Sequence, residues 1–340
     1  MIAGRIARRM LAAPRTRPEE AGLGPALDRL GGEVTRIRSR DGLRLSARWL
    51  DAEPGDPDWA PDPHEAIVIL HGYSGSVAPD LVEYGPTLRR VAGVLGLDFR
   101  GHGDSDPGET TFGLREVDDV GGALGWLGER GIRRVALFGT SMGGITAIAA
   151  AVVLGDGWLA GVDAEPDAPR LTSPAPRPRI VGVVAEAVTA ELPTVVANRL
   201  PGPLLVRRWL ARRAFAIAAR RLGADPRATE PVRVVGLLED LPLLLIHGDA
   251  DTTVPSAEGR RLAAAAGRGA VHWTIPGAGH GLGRRVAGPA WDERVGAFLR
   301  RAFAAARERD APVGILRSAA TDEPVSNDRP SPAVEADQQA

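Results

Sequence analysis

A mostly parallel β-sheet with helices on both faces is the fold class this sequence predicts. Wholly apolar runs at 66–70 and 241–246 have strand length and lack the alternation of a half-exposed strand, so both faces of each are buried. Such runs alternate with longer helical stretches, the pattern of βαβ units. Between one strand and its following helix stands Phe138-Gly139-Thr140-Ser141-Met142-Gly143-Gly144, where glycines let the chain bend tightly around a serine.

Taken in order, residues 1–30 read as a partly disordered leader. Ile2, Ile6 and Met10 share one helical face among arginines, the composition of a helix lying on a membrane surface; the plainer alternative is a basic, disordered start. Residues 33–38 and 43–50 alternate around the turn Arg40-Asp41-Gly42 and form a hairpin. The Asp- and Pro-dense stretch 51–63 is a loop. Strands follow at 66–70 and 93–98 with a helix near 81–91 between them, and a helix at 116–130 leads into the strand 133–138 before the serine.

Residues 155–179 are rich in Pro, Asp and Gly without periodicity, a long structureless insertion for the interior of a domain. Strands resume at 180–184, 241–246 and 271–275, and residues 291–307 form the closing helix. Between the first two lies a helical stretch within about 190–226, broken at Pro201-Gly202-Pro203. Its arginines and apolar residues fall on all sides, which argues against a nucleic-acid or lipid stripe. One domain therefore spans 31–308, and the polar tail 309–340 is expected to be disordered.

Composition excludes several classes. A formal net charge of -1 gives no general attraction to nucleic acid or to an acidic membrane. Cysteine is absent, so there is no disulfide framework or thiolate metal site. Lysine is absent too, and with abundant Ala, Gly and Pro this fits a base-composition bias rather than a function. No run approaches the roughly 18 apolar residues of a membrane span, and no apolar core marks a signal peptide. A cytoplasmic location is the expectation.

A serine hydroxyl becomes a useful nucleophile only when a base takes its proton and a third group holds the base. Two downstream segments offer such partners. Ile246-His247-Gly248-Asp249-Ala250-Asp251-Thr252-Thr253-Val254-Pro255 follows an apolar strand, and Gly277-Ala278-Gly279-His280-Gly281 follows the last strand. Both lie where loops gather at the carboxyl edge of a parallel sheet.

With Leu70-His71-Gly72-Tyr73 and Asp98-Phe99-Arg100-Gly101-His102-Gly103-Asp104-Ser105, these segments make five motifs in order. On them the chain resembles the α/β-hydrolase superfamily, with the esterase, lipase and serine-aminopeptidase-like members nearest, from about residue 33 to 307. The resemblance implies the α/β-hydrolase fold and a short helical lid at 190–226. It makes Ser141 the nucleophile of a Gly-x-Ser-x-Gly elbow, His280 the base and Asp251 the acid, since Asp251 precedes the Val254-Pro255 pair. Asp249 is then a loop-capping carboxylate.

The same resemblance places the oxyanion donors at the backbone amides of Met142 and Tyr73, leaving the Tyr73 side chain free to line the acyl pocket. His71 and His102 organise loops, and the Asp98 segment shapes the site floor. The implied chemistry is serine hydrolysis of a carboxylic ester in a small acyl substrate, without a cofactor. Thioesterase, peptidase and acyltransferase reactions use the same three residues, and fold alone does not separate them. A non-catalytic, ligand-binding member would typically have lost one of the three. A dehalogenase or epoxide hydrolase would carry aspartate at the elbow. The segment Val184-Ala185-Glu186-Ala187-Val188 lacks the serine or proline frequent there in relatives, which bears on substrate choice.

Overall fold

The computed structural model describes residues 1–12, 15–55, 57–73, 75–155 and 177–311. Its strands are β1 (Glu33–Arg38), β2 (Arg44–Leu50), β3 (Glu65–Leu70), β4 (Gly93–Leu97), β5 (Arg134–Thr140), β6 (Arg179–Glu186), β7 (Leu243–Gly248) and β8 (Ala270–Ile275). They form one eight-stranded sheet in the order β1-β2-β4-β3-β5-β6-β7-β8. β1 pairs antiparallel with β2, and β2 antiparallel with β4; every other pairing is parallel. β3 and β5 are buried almost throughout, as expected of central strands with apolar runs.

The helices in chain order are α1 (Ile2–Leu11), α2 (Gly24–Leu30), α3 (Ala78–Leu88), α4 (Glu116–Glu129), α5 (Met142–Leu154), α6 (Leu192–Asn198), α7 (Leu204–Leu222), α8 (Pro231–Val234), α9 (Ser256–Ala265), α10 (Gly283–Ala287) and α11 (Pro289–Asp310). α4 and α5 bury their apolar residues against one face of the sheet, and α3 and α11 cover the other. The chain leaves β3 for one face through α3 and leaves β5 for the opposite face through α5. The carboxyl ends of these adjacent strands therefore open a crevice between diverging connections, the usual place for a ligand site in such sheets.

Three expectations are corrected. The start of the chain is not a detached leader: α1 buries Ala7, Met10 and Leu11 and packs along α7. Its stripe of small and apolar residues at helical spacing finds an internal partner, which a short basic segment read alone does not reveal. The helix after β3 begins at Ala78 rather than 81, because the Asp98 carboxylate accepts the Val77 amide at 2.7 Å and Pro79 fits the first turn. α11 runs to Asp310, two residues past the expected domain end, because the Asp310 carboxylate binds Arg134 and Arg179 at 2.9 Å each.

The helical stretch between β6 and β7 resolves into α6 and α7, separated at the Pro201-Gly202-Pro203 break. Most of the 155–179 insertion and nearly all of the 309–340 tail lie outside the described residues. Among the described residues no helix is long and apolar enough to cross a membrane.

Candidate active site

Ser141 sits between β5 and α5 at φ 54, ψ -114, a conformation costly for any residue with a Cβ. Its neighbours make the bend: a side chain on Gly143 would collide with the Leu70 carbonyl at the end of β3, and one on Gly139 would strike the Gly143 backbone. Backbone thus touches backbone on both sides of the serine, and only glycine fits. The Ser141 amide donates to Glu186 O at 2.8 Å, and the Ser141 carbonyl accepts the Ile145 amide at 3.0 Å, opening α5.

The loops after β7 and β8 are joined to each other. Asp249 N donates to Ile275 O at 3.2 Å, Ala250 N to Ala278 O at 3.1 Å, and Gly277 N to the Asp249 carboxylate at 2.6 Å. This holds His280 over the elbow. The Ser141 hydroxyl donates to His280 Nε2 at 3.0 Å, and His280 Nδ1 donates to Asp251 Oδ2 at 2.7 Å. Protonation on Nδ1 is the tautomer that satisfies both contacts.

The buried Asp251 receives the Thr253 and Val254 amides on Oδ1, both at 2.8 Å, which leaves Oδ2 for the histidine. Its neighbour Asp249 faces Gly277 instead, so the geometry separates two carboxylates that stand two residues apart. His247 donates from Nε2 to Val254 O at 2.7 Å, and burial pushes its imidazole toward the neutral form, so it braces the acid loop. Neither His64, bonded to Gly131 O at 2.8 Å, nor the Asp98 carboxylate, occupied by the Val77 and Asp104 amides, reaches this cluster.

The other expected donors frame the serine. Met142 is the first residue of α5, where helix amides have no intrahelical acceptor. Gly72 lies beside the elbow: a Cβ there would stand 3.8 Å from the Ser141 Cβ. The Gly72-Tyr73 peptides are held by two histidines. His71 Nδ1 donates to Gly72 O at 2.7 Å while Nε2 accepts the Phe99 amide at 3.1 Å. Burial, together with the adjacent His102, drives the His71 pKa to about 3, so this brace stays neutral. His102 Nε2 reaches Tyr73 O at 2.8 Å.

The Tyr73 side chain is not free. Its hydroxyl reaches the carbonyls of Arg9 and Met10 at the end of α1, at 2.8 and 3.0 Å. Its ring stacks on Phe112 with centroids 5.5 Å apart, and Phe112 in turn meets Phe215 of α7 at 5.9 Å. Phe112 holds φ 56, another strained residue. Leu11 O also accepts the Thr110 amide at 2.9 Å. α1 is therefore a roof joined to the loop that carries an expected oxyanion donor. The sequence signal for it was the spacing Ala3, Ile6, Ala7, Met10, present but without a visible partner.

Sequence reasoning also missed a buried acidic cluster beneath the elbow. Glu186, at the end of β6, accepts the Gly283 amide at 2.8 Å through Oε1, while its Oε2, Thr140 Oγ1 and the indole nitrogen of Trp291 are buried without a hydrogen-bond partner. Burial raises the Glu186 pKa to about 7, against the pull of that amide. Asp80 on α3 is likewise raised to about 7, by burial foremost. A lone glutamate closing an apolar strand was the available signal. Among the described residues no group of His, Cys, Asp and Glu could hold a metal ion.

Residues 67–287 match the model of the alpha/beta hydrolase family. The uncharacterized protein YfhR of Escherichia coli O157:H7 is 25% identical over 250 residues, covering 72% of this chain and 71% of that one. The esterase Pf2001 of Pyrococcus furiosus superposes with a TM-score of 0.56 at 22% identity, over 85% of this chain and 98% of its own. A thermophilic esterase from Thermogutta terrifontis gives 0.52 at 17% identity, over 79% and 99%. With a sheet of this order, helices on both faces and a family match across most of the body, the chain belongs to the alpha/beta hydrolase family.

Proposed function

We propose that this protein is a serine hydrolase that cleaves carboxylic esters of small acyl substrates through an acyl-enzyme on Ser141. One observation carries the reading: the unbroken run of contacts from the Ser141 hydroxyl through His280 to the buried Asp251 carboxylate. Esterases among its structural neighbours support the substrate class.

As Ser141 Oγ attacks the acyl carbon, its proton passes to His280 Nε2, and the Asp251 carboxylate stabilises the resulting imidazolium. The carbonyl oxygen becomes an oxyanion that accepts from the amides of Met142 and Tyr73, each such donor being worth about 2.7–4 kcal/mol of transition-state stabilisation. His280 then returns the proton to the departing alcohol. Water, deprotonated by the same imidazole, attacks the acyl carbon, and collapse of the second tetrahedral intermediate frees the acid and restores Ser141. Thioesters and amides would pass through the same steps; the leaving group alone differs.

A fluorophosphonate probe tests the nucleophile. The wild-type protein should be labelled and should hydrolyse short-chain esters, and Ser141→Ala should lose both properties while keeping its fold. Labelling that survives in Ser141→Ala would refute the assignment.

A further inference from the structure

Burial divides α7 into two faces. Ala211, Ala214, Phe215, Ala218 and Leu222 are buried, whereas Leu205, Arg208, Trp209, Arg212 and Arg213 face solvent. The residues that looked scattered by hydropathy are thus ordered in the fold, because small alanines fill the inner side. Leu205 is 79% exposed and Trp209 60%, next to exposed Leu204 and Val206. Large apolar side chains left this open mark a contact surface when they cluster.

α1 extends the surface. It lies along α7, and both helices end at one loop: Leu11 O binds Thr110 N, while Arg221 near the end of α7 pairs with Glu109 at 2.8 Å. The two helices therefore run the same way, and the exposed Ile2 lies toward the Leu205 end. Met10 is buried and Ile6 half-buried, so the apolar stripe of α1 faces the protein and its outer face offers Arg5, Arg8 and Arg9.

The charge is one-sided. Residues 1–11 and 192–222 contain ten arginines and no aspartate or glutamate, in a chain whose formal net charge is -1. Arg208, Arg212 and Arg213 have no acidic partner among the described residues. Exposed leucine, valine and tryptophan among unpaired arginines suit a partner that is apolar within and anionic at its surface. A nucleic acid would satisfy the arginines and leave the aliphatic side chains in water.

We propose that this α1–α7 surface docks on an anionic lipid bilayer, with Leu205 and Trp209 entering the boundary between headgroups and acyl chains and the arginines pairing with lipid phosphates. The proposal does not depend on Ser141 being a nucleophile.

The test uses the full-length protein with phosphatidylcholine vesicles, with and without phosphatidylglycerol. Co-sedimentation should require phosphatidylglycerol and weaken with added salt, and tryptophan emission should shift to the blue on binding. Trp209→Phe should lose most of that shift although six other tryptophans remain. Arg208→Gln with Arg212→Gln should lower partitioning about 25-fold, at roughly fivefold per charge. Leu205→Ser should also weaken it. These side chains project into solvent, so each variant should melt with the wild type. Failure to bind anionic vesicles at low salt, or binding undiminished in all the variants, would overturn the proposal. So would a solution dimer dissolved by Leu205→Ser, or binding of duplex DNA in place of vesicles.

Discussion

At the elbow, backbone packs on backbone: β3, β5 and the first turn of α5 approach so closely that Gly139 and Gly143 admit no side chain. At the cap, side chain packs on side chain: α1 lies against α7, and Ala7, Met10 and Leu11 of the one share a buried cluster with Ala214 and Phe215 of the other. The first kind of contact restricts residue identity and leaves a motif. The second restricts only size and polarity, which many residues satisfy. One molecule thus holds a region whose chemistry is spelled out in its sequence beside one known only from its packing.

If that contrast holds, substitutions near the elbow should act steeply and selectively. Asp251→Asn should lower turnover by about 10⁴-fold, by stabilising the wrong tautomer of His280. Asp249→Asn, which alters only the bond to Gly277, should cost far less. Steady-state kinetics on one short ester ranks the two, and the reverse ranking would transfer the orienting role to Asp249.

A second test reaches under the elbow. The Glu186 pKa is raised to about 7 in the folded protein, by burial foremost, so the native state holds a proton that the unfolded chain has released. Stability should therefore fall as pH rises from the ordinary glutamate range, near about 4.5, to about 7, by roughly 3 kcal/mol in all, and then level off. Glu186→Gln should flatten that part of the profile and be the more stable protein at pH 8. Denaturant melts of both proteins across pH decide it; parallel profiles would show that Glu186 does not set the slope.

The smallest effect is expected where the two regions meet. Tyr73→Phe keeps the ring on Phe112 and removes only the bond to the carbonyls of α1. The loss should be about 1 kcal/mol, the usual net value of one hydrogen bond. Denaturant melts read that loss of stability, and coupling of the cap to the oxyanion loop should show as a modest drop in kcat for a short ester with KM unchanged. An unaltered kcat would mean that the cap does not influence the oxyanion loop.

The sheet was legible because β3, β5 and β7 each carry an unbroken apolar run and because Arg40-Asp41-Gly42 marks its hairpin. Ser141 and His280, the proposed nucleophile and base, stand out in the sequence in glycine-flanked loops after strands, and Asp251, the proposed acid, is set apart from Asp249 by the Val254-Pro255 pair of the family pattern. What escaped depends on distant partners. Glu186 has its Gly283 partner 97 residues away, and the Tyr73 hydroxyl finds Arg9 across 64. No local pattern records such pairings. α7 escaped for a different reason: its inner side is lined by alanines, which carry little hydropathy, so burial alone reveals its two faces.

The joint between Tyr73 and α1 also bears on how the chain is made. Residues 2–11 are synthesised well before Phe215 and the rest of the inner face of α7, which come some two hundred residues later. Until then α1 is a short helix without tertiary support, too brief to persist in water. A segment made early is thus among the last to dock, and the loop bearing Tyr73 reaches its final setting only when the ends of this long-range contact meet.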